Sequence, residues 1–222
     1  METAVSSKSW PEDLQNYAAT RLLRPRIALL WLVVGACMLA ASAGGGPDRM
    51  AASMLLAAFL IAQFRLWDDL ADRAHDARHH ARRVLVGSPH AGRFSQLCVA
   101  GALPVLGLLW AWREPMRLAA YGLLCAAMAG LYLASGAWPR LLRAQLVLLK
   151  YPSFVWLVAS GVSPRAGLGL GAALWLVLAL HDLLSDRTLQ AGPHWRALAA
   201  IECLALIALL GLAALGFFKP VH

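Results

Sequence analysis

The sequence predicts an all-α, polytopic membrane bundle of about seven helices, and three observations predict it. Hydrophobic residues make up 60% of the 222 and charged residues only 14%, at a mean hydropathy of +0.60, far from soluble averages. The apolar residues fall in runs long enough to cross a bilayer. The arginines and lysines between those runs are unevenly shared between alternate loops, as in a protein with a fixed orientation in a membrane.

Residues 1–26 read as an N-terminal segment outside the membrane. Glu2, Lys8, Glu12 and Asp13 precede any apolar run, so a cleavable signal is not expected. Ser9-Trp10-Pro11-Glu12-Asp13 has the chemistry of a helix start. A short interfacial helix leading to Arg24-Pro25 follows. The spans are expected at about 27–43, 50–67, 95–112, 117–134, 144–161, 166–182 and 197–217. Gly44-Gly45-Gly46 turns the chain between the first two and is no phosphate loop, since neither a strand nor a lysine accompanies it. The fifth span is the least regular, because Lys150 and Pro152 sit inside it. Residues 27–217 are expected to form one transmembrane domain, with 218–222 a short tail. Cys37, Cys98, Cys125 and Cys203 all fall in spans without C-x-x-C spacing and read as small buried apolar residues.

The net charge of +8 would suggest nucleic acid in a soluble protein, but its distribution argues against that. Lys8, Arg21, Arg24 and Arg26 precede the first span, and Arg65, Arg73, Arg78, Arg82, Arg83 and Arg93 flank the loop after the second. Arg140, Arg143, Arg187 and Arg196 fall in the next two even-numbered loops, against only Arg49, Arg113, Arg117, Arg165 and Lys219 on the opposite side. The bias orients the N-terminus toward the cytoplasm in a multi-pass plasma-membrane or inner-membrane protein. Basic loops at a membrane surface favour anionic headgroups and substrates.

Two acidic stretches stand out against this background. One is Trp67-Asp68-Asp69-Leu70-Ala71-Asp72-Arg73-Ala74-His75-Asp76; the other is His181-Asp182-Leu183-Leu184-Ser185-Asp186-Arg187. Each ends a lipid-length run, and carboxylates there are costly unless they pair or hold metal, which makes a functional site the default reading. Asp68-x-x-x-Asp72-Arg73 repeats as Asp182-x-x-x-Asp186-Arg187, and residues four apart share a helix face. Two such clusters facing each other would bind divalent cations and, through them, a diphosphate. The competing reading of the first stretch is a solvated acidic loop neutralised by Arg73, Arg78 and Arg82. His75 and His79 have metal-ligand spacing but read as polar surface residues.

At these residues the chain resembles the UbiA-type intramembrane prenyltransferases. Asp68-Asp69-x-x-Asp72-x-x-x-Asp76 is similar to that family's Asn-Asp-x-x-Asp-x-x-x-Asp motif, with Asp68 where Asn is usual. His79-His80-Ala81-Arg82 is similar to the His-Pro-x-Arg often found next, and Arg24-Pro25 to the segment ahead of the first helix. Asp182-x-x-x-Asp186 matches the last two acidic positions of the second motif. The resemblance covers roughly residues 20–200. It implies transfer of a prenyl group from an isoprenyl diphosphate to a lipophilic acceptor. Mg²⁺ would be held by Asp68, Asp69, Asp72, Asp76, Asp182 and Asp186, with Asp72 and Asp186 at the catalytic centre.

Breaking an allylic carbon–oxygen bond leaves pyrophosphate carrying most of the charge, which cations stabilise as it develops. Arg73, Arg187, Arg24 and Lys150 are the candidates. The allylic cation needs a dry pocket with aromatic faces, for which Trp67, Tyr132 and Tyr151 are placed, along with Phe64 and Trp156. Interfacial anchoring also accounts for the tryptophans, and snorkelling for Lys150.

Two departures stand beside the resemblance. The family's Tyr-x-x-x-Lys is absent, since Gly136 lies four residues after Tyr132. The usual nine spans shrink to about seven, so the last two helices are missing; a homodimer, a partner subunit or a lipid-facing opening would have to compensate. These departures favour a non-catalytic reading, a UbiA-like protein for lipid binding, assembly or transport, which the paired motifs oppose. The motif of CDP-alcohol phosphotransferases is not met, because Arg73 replaces its glycine and no paired aspartates follow Gly87 within reach.

Overall fold

The computed structural model describes residues 9–42, 46–134, 138–159, 164–191, 193–215 and 217. The N-terminal eight residues, Gly44 and Gly45 of the expected turn, Gly136 and the tail 218–222 lie outside them. Among the described residues every regular element is helical and there is no strand. Six helical stretches are long and apolar enough to cross a membrane, and a seventh is reached if the bent pair Trp10–Leu22 and Pro25–Ala41 counts as one. The all-α prediction and the approximate number of spans therefore hold.

The helix boundaries follow the prolines. Helix α1 (Trp10–Tyr17) opens on Ser9, whose backbone N–H donates to the Glu12 carboxylate at 3.0 Å, and runs into a π-turn over Ala18–Leu22. Helix α2 (Pro25–Ala41) sets off at 62° to this segment. Proline is favoured at a first helical position, where its missing N–H is no loss, and α3 (Pro47–Ala71), α8 (Pro115–Leu133) and α11 (Pro164–Ser185) start the same way. Inside a span proline does the opposite, because it cannot donate to the carbonyl four residues back and its ring crowds it. Thus α6 (Ala91–Ala100) ends four residues before Pro104, and α7 (Ala102–Ala111) resumes after Gly101. Likewise α9 (Arg140–Leu148) ends four residues before Pro152, and α10 (Lys150–Val158) follows. This break is the irregularity expected of the fifth span. The short α4 (Arg73–His79) and α5 (Val84–Gly87) follow α3, and α12 (Trp195–Ala214) closes the series.

The chain divides into two compact units, the first comprising residues 1–32 and 58–113 and the second 33–57 and 114–222. In the first, a cluster of Tyr17, Leu66, Leu85, Phe94 and Cys98 forms the core, with Trp10, Leu14 and Trp67 packed against it. Helix α1 is therefore an integral part of this unit. Its Trp10 lies edge-on to Phe94, with ring centroids 4.8 Å apart, and its buried Asp13 accepts a hydrogen bond from the Ser88 hydroxyl.

In the second unit α11 packs on α9, α10 and α12. A Cβ added at Gly171 of α11 would lie 3.2 Å from the Pro152 Cβ of α10, so glycine there permits the close approach of the two helices. Trp175 donates to the Gln145 carbonyl at 3.0 Å, and Ser53 to the Val158 carbonyl at 3.2 Å. A cavity of about 690 Å³ opens between α8, α10 and α11, lined among others by Leu123, Met128, Lys150, Ser153 and Trp156.

Candidate functional site

The first acidic stretch does not trail from its span as a loop. Helix α3 is 25 residues long and carries Asp68 and Asp69 in its final turn. Asp72 sits at the break, and its N–H still donates to the Asp68 carbonyl at 2.9 Å. Asp76 falls in α4, and its N–H donates to the Asp72 carbonyl at 2.8 Å. Because the helical bonding persists across the break, Asp69 and Asp76, seven residues apart, point the same way. These two are the buried carboxylates, at 6% and 3% exposure, while Asp68 and Asp72 are half-buried.

Burying a carboxylate demands a cationic or hydrogen-bonding partner, and both have one. Arg21 grips Asp69 with its guanidinium fork, Nε donating to Oδ2 at 2.9 Å and Nη2 to Oδ1. The Tyr17 hydroxyl donates to Oδ2 at 3.0 Å, and Arg65 adds a third side chain at 3.6 Å from Oδ1. Arg83 Nη1 pairs with Asp76. The hydrogen bond to Asp69 pushes the Arg21 guanidinium further up in pKa. Burial first, and then the adjoining Asp69 carboxylate, push the Tyr17 phenol well above its ordinary range. The counter-ions of Asp69 and Asp76 are thus Arg21, Arg65 and Arg83, not the nearby Arg73, Arg78 and Arg82, and these two carboxylates are buried, not solvated.

Arg21 and Arg83 do a second thing. Together with Tyr17, Asp69 and Asp76 they line a small cavity. On their other side they help to line an open basin of about 600 Å³ with Thr20, Arg24, His79, His80 and Arg82. None of the residues lining the basin is acidic. Of the sequence-predicted residues, this unit holds Arg24 on the basin, Trp67 tilted 5.7 Å from Phe64, and Arg73 exposed on α4.

The second stretch has a different environment. Asp182 is half-buried in the last turn of α11, with His181 Nδ1 at 3.4 Å from its Oδ1. Asp186, just past the helix, is exposed and accepts from the Thr188 N–H at 2.7 Å and the Thr188 hydroxyl at 2.8 Å, closing a local turn. Arg187 is exposed. Lys150 is 1% exposed, with Nζ 5.3 Å from the centre of the Tyr151 ring, and it lies within electrostatic reach of Asp182. Tyr151 packs edge-on to Phe154 at 5.6 Å, and Tyr132 is half-buried near the end of α8. Lys150, Tyr151, Asp182 and Asp186 therefore belong to the second unit and Asp68, Asp69, Asp72 and Asp76 to the first.

Among the described residues no three His, Cys, Asp or Glu side chains converge as a metal shell. The partners of the first motif, Tyr17 and Arg83, are not suggested by motif spacing, because they lie 52 and 7 residues from the carboxylates they meet. Glu202 is a further buried polar residue. It is 2% exposed in α12, and among the described residues neither carboxyl oxygen has a hydrogen-bond partner. As the single acid in a 20-residue apolar span, it was visible in the sequence.

These features define a multi-pass, all-helical chain with spans suited to a membrane, carrying one acidic motif clamped by arginine and a second left open. Set against protein-family models, curated proteins and solved structures, the chain matches none.

Proposed function

We propose that this chain is an intramembrane transferase that takes an isoprenyl diphosphate and passes its isoprenyl group to a lipophilic acceptor. The observation that carries the proposal is the setting of the first acidic motif: two carboxylates under a basin lined by four arginines, in a chain of membrane-length helices. A substrate with an anionic head and an apolar tail needs that combination of a cationic receiving surface and a lipid-embedded body. The shared Asp-x-x-x-Asp-Arg spacing of the two motifs supports the same reading.

In this scheme Arg24 and Arg73 are the phosphate-facing cations of the first unit, and Arg187 is the cation that accompanies the motif of the second. Lys150 is a buried cation beside Asp182 in the second unit, the type of group that stabilises a departing pyrophosphate. Trp67 in the first unit, and Tyr132 and Tyr151 in the second, are the aromatic side chains that the sequence offers to a carbocation or a prenyl tail. Mg²⁺ belongs to the proposal through the sequence motif alone. The described carboxylates do not present a ready shell for it, since Asp69 and Asp76 are engaged by guanidinium groups, so no step is assigned to the metal.

The same engagement favours a second reading, in which the motif is structural and the chain is a non-catalytic UbiA-like protein that binds lipid. Binding of a non-hydrolysable geranylgeranyl diphosphate analogue to the full chain in nanodiscs separates the two. The measurement is made with Mg²⁺, with EDTA, and with Asp72→Asn and Asp186→Asn. Binding that Mg²⁺ tightens, a gain lost in both variants, upholds the transferase, and Asp72→Asn then also abolishes turnover without unfolding the protein. Binding that is no tighter with Mg²⁺ than in EDTA, in the wild type as in both variants, overturns it in favour of the non-catalytic reading.

A further inference from the structure

The basin of the first unit has a composition that the acidic motifs do not explain. Four guanidinium groups, Arg21, Arg24, Arg82 and Arg83, line it together with His79, His80 and the Thr20 side chain, and no carboxylate opens onto it. Behind it, Asp69 and Asp76 take up Arg21 and Arg83, so four cations against two anions leave two positive charges over. Those charges sit on Arg24 and Arg82, both exposed. Arg24 is braced by its Nε, which donates to the Thr20 carbonyl at 3.0 Å, and its terminal nitrogens are clear of that bond. Arg21 and Arg83 are themselves fixed by the carboxylates they bind, which removes much of the cost of ordering long side chains around a ligand.

We infer that this basin is a phosphate-binding site of the guanidinium type, one that holds a phosphate or diphosphate group without a divalent cation. Planar guanidinium groups donate in pairs to adjacent phosphate oxygens and are the preferred partners of that geometry. The buried aspartates serve here as anchors for two of the arginines, which accounts for carboxylates that are filled by guanidinium and not grouped for metal. The inference deepens the proposed function and rests on it only for the identity of the ester. The phosphate chemistry itself has two sources at a membrane surface, a soluble or substrate diphosphate and an anionic lipid headgroup.

The test is calorimetric titration of the full chain with inorganic pyrophosphate, in nanodiscs of phosphatidylcholine and in EDTA throughout. The wild-type protein binds under these conditions. Arg24→Gln and Arg82→Gln each weaken binding by about tenfold, the usual loss for one charge-assisted contact. Both side chains are exposed, so a thermal melt of each variant matches the wild type. EDTA removes the cation on which the transferase test turns, so failure of the transferase reading leaves the basin result standing. Absence of pyrophosphate binding in EDTA, or equal affinity in both arginine variants, overturns the inference. A second arm dopes the nanodiscs with phosphatidic acid. Competition with pyrophosphate upholds the site with lipid headgroups as its occupant, and no competition upholds it with a soluble or substrate diphosphate.

Discussion

The two acidic motifs share a spacing and part company in everything else. In the first unit Asp69 and Asp76 are buried and gripped by Arg21, Arg65, Arg83 and Tyr17. In the second, Asp182 is half-buried beside a histidine and Asp186 is exposed, bonded to a threonine two residues away. The difference comes from what each motif is followed by. After α3 the chain continues through α4 and α5 and returns under α1, so long-range partners are available. After α11 it closes a local turn, and among the described residues the Asp186 side chain bonds only to Thr188. One Asp-x-x-x-Asp-Arg repeat thus yields a buried ion-pair network in one place and an open acidic end in the other.

The largest effect expected from breaking this contrast is at Arg21. Arg21→Gln removes the bidentate partner of a carboxylate that has little access to water, and the cost is on the order of 3 kcal/mol, read as a lowered unfolding midpoint in detergent. Adding Asp69→Asn to the same protein restores most of that loss, because the uncompensated charge disappears with its partner. A double variant as unstable as the single would show that Arg21 acts through packing and not through charge.

Next in size is Tyr17. Tyr17→Phe deletes one hydrogen bond to Asp69 and costs about 1 kcal/mol. The phenol also carries a signature in pH. Its pKa is raised in the folded protein, so its contribution to stability is intact below the ordinary phenol value of about 10 and is lost as pH rises beyond it. The wild-type unfolding midpoint therefore falls more steeply above that pH than the midpoint of Tyr17→Phe. Parallel curves would remove Tyr17 from the network.

How much of this was legible in the sequence depends on the range of the interaction. Apolar runs reported the spans, and Pro152 marked the irregular fifth, because a proline acts on the carbonyl four residues back and needs no tertiary context. Pro104 acts in the same way, but the break it makes in the third span was not anticipated. Ser9 and Glu12 announced the start of α1 for the same local reason. The carboxylates at Asp69 and Asp76 were visible too. Their partners were not, because the competing arginines Arg73, Arg78 and Arg82 are nearer in sequence, and only the packing of α1 against α5 brings Arg21 into place. The helix face that is buried was equally hidden. A repeat of period four draws attention to Asp68 and Asp72, while the fold buries Asp69 and Asp76, seven apart. Glu202 was missed, although an acid in an apolar span is itself a signal; its burial without a hydrogen-bond partner among the described residues is a property of the packing.

The smallest stability effect sharpens the comparison most. Asp186→Asn keeps an oxygen that accepts from the Thr188 N–H and hydroxyl, so the turn survives, and an exposed side chain loses little on neutralisation. Its unfolding midpoint is expected within about 0.5 kcal/mol of wild type. Any loss of diphosphate binding or turnover in that variant then reports on function alone, which the first motif cannot offer, since Asp69 and Asp76 hold the fold as well. A destabilisation comparable to that of Arg21→Gln would mean that Asp186 has a buried cationic partner of its own. The distinction between a clamped motif and an open one would then fail.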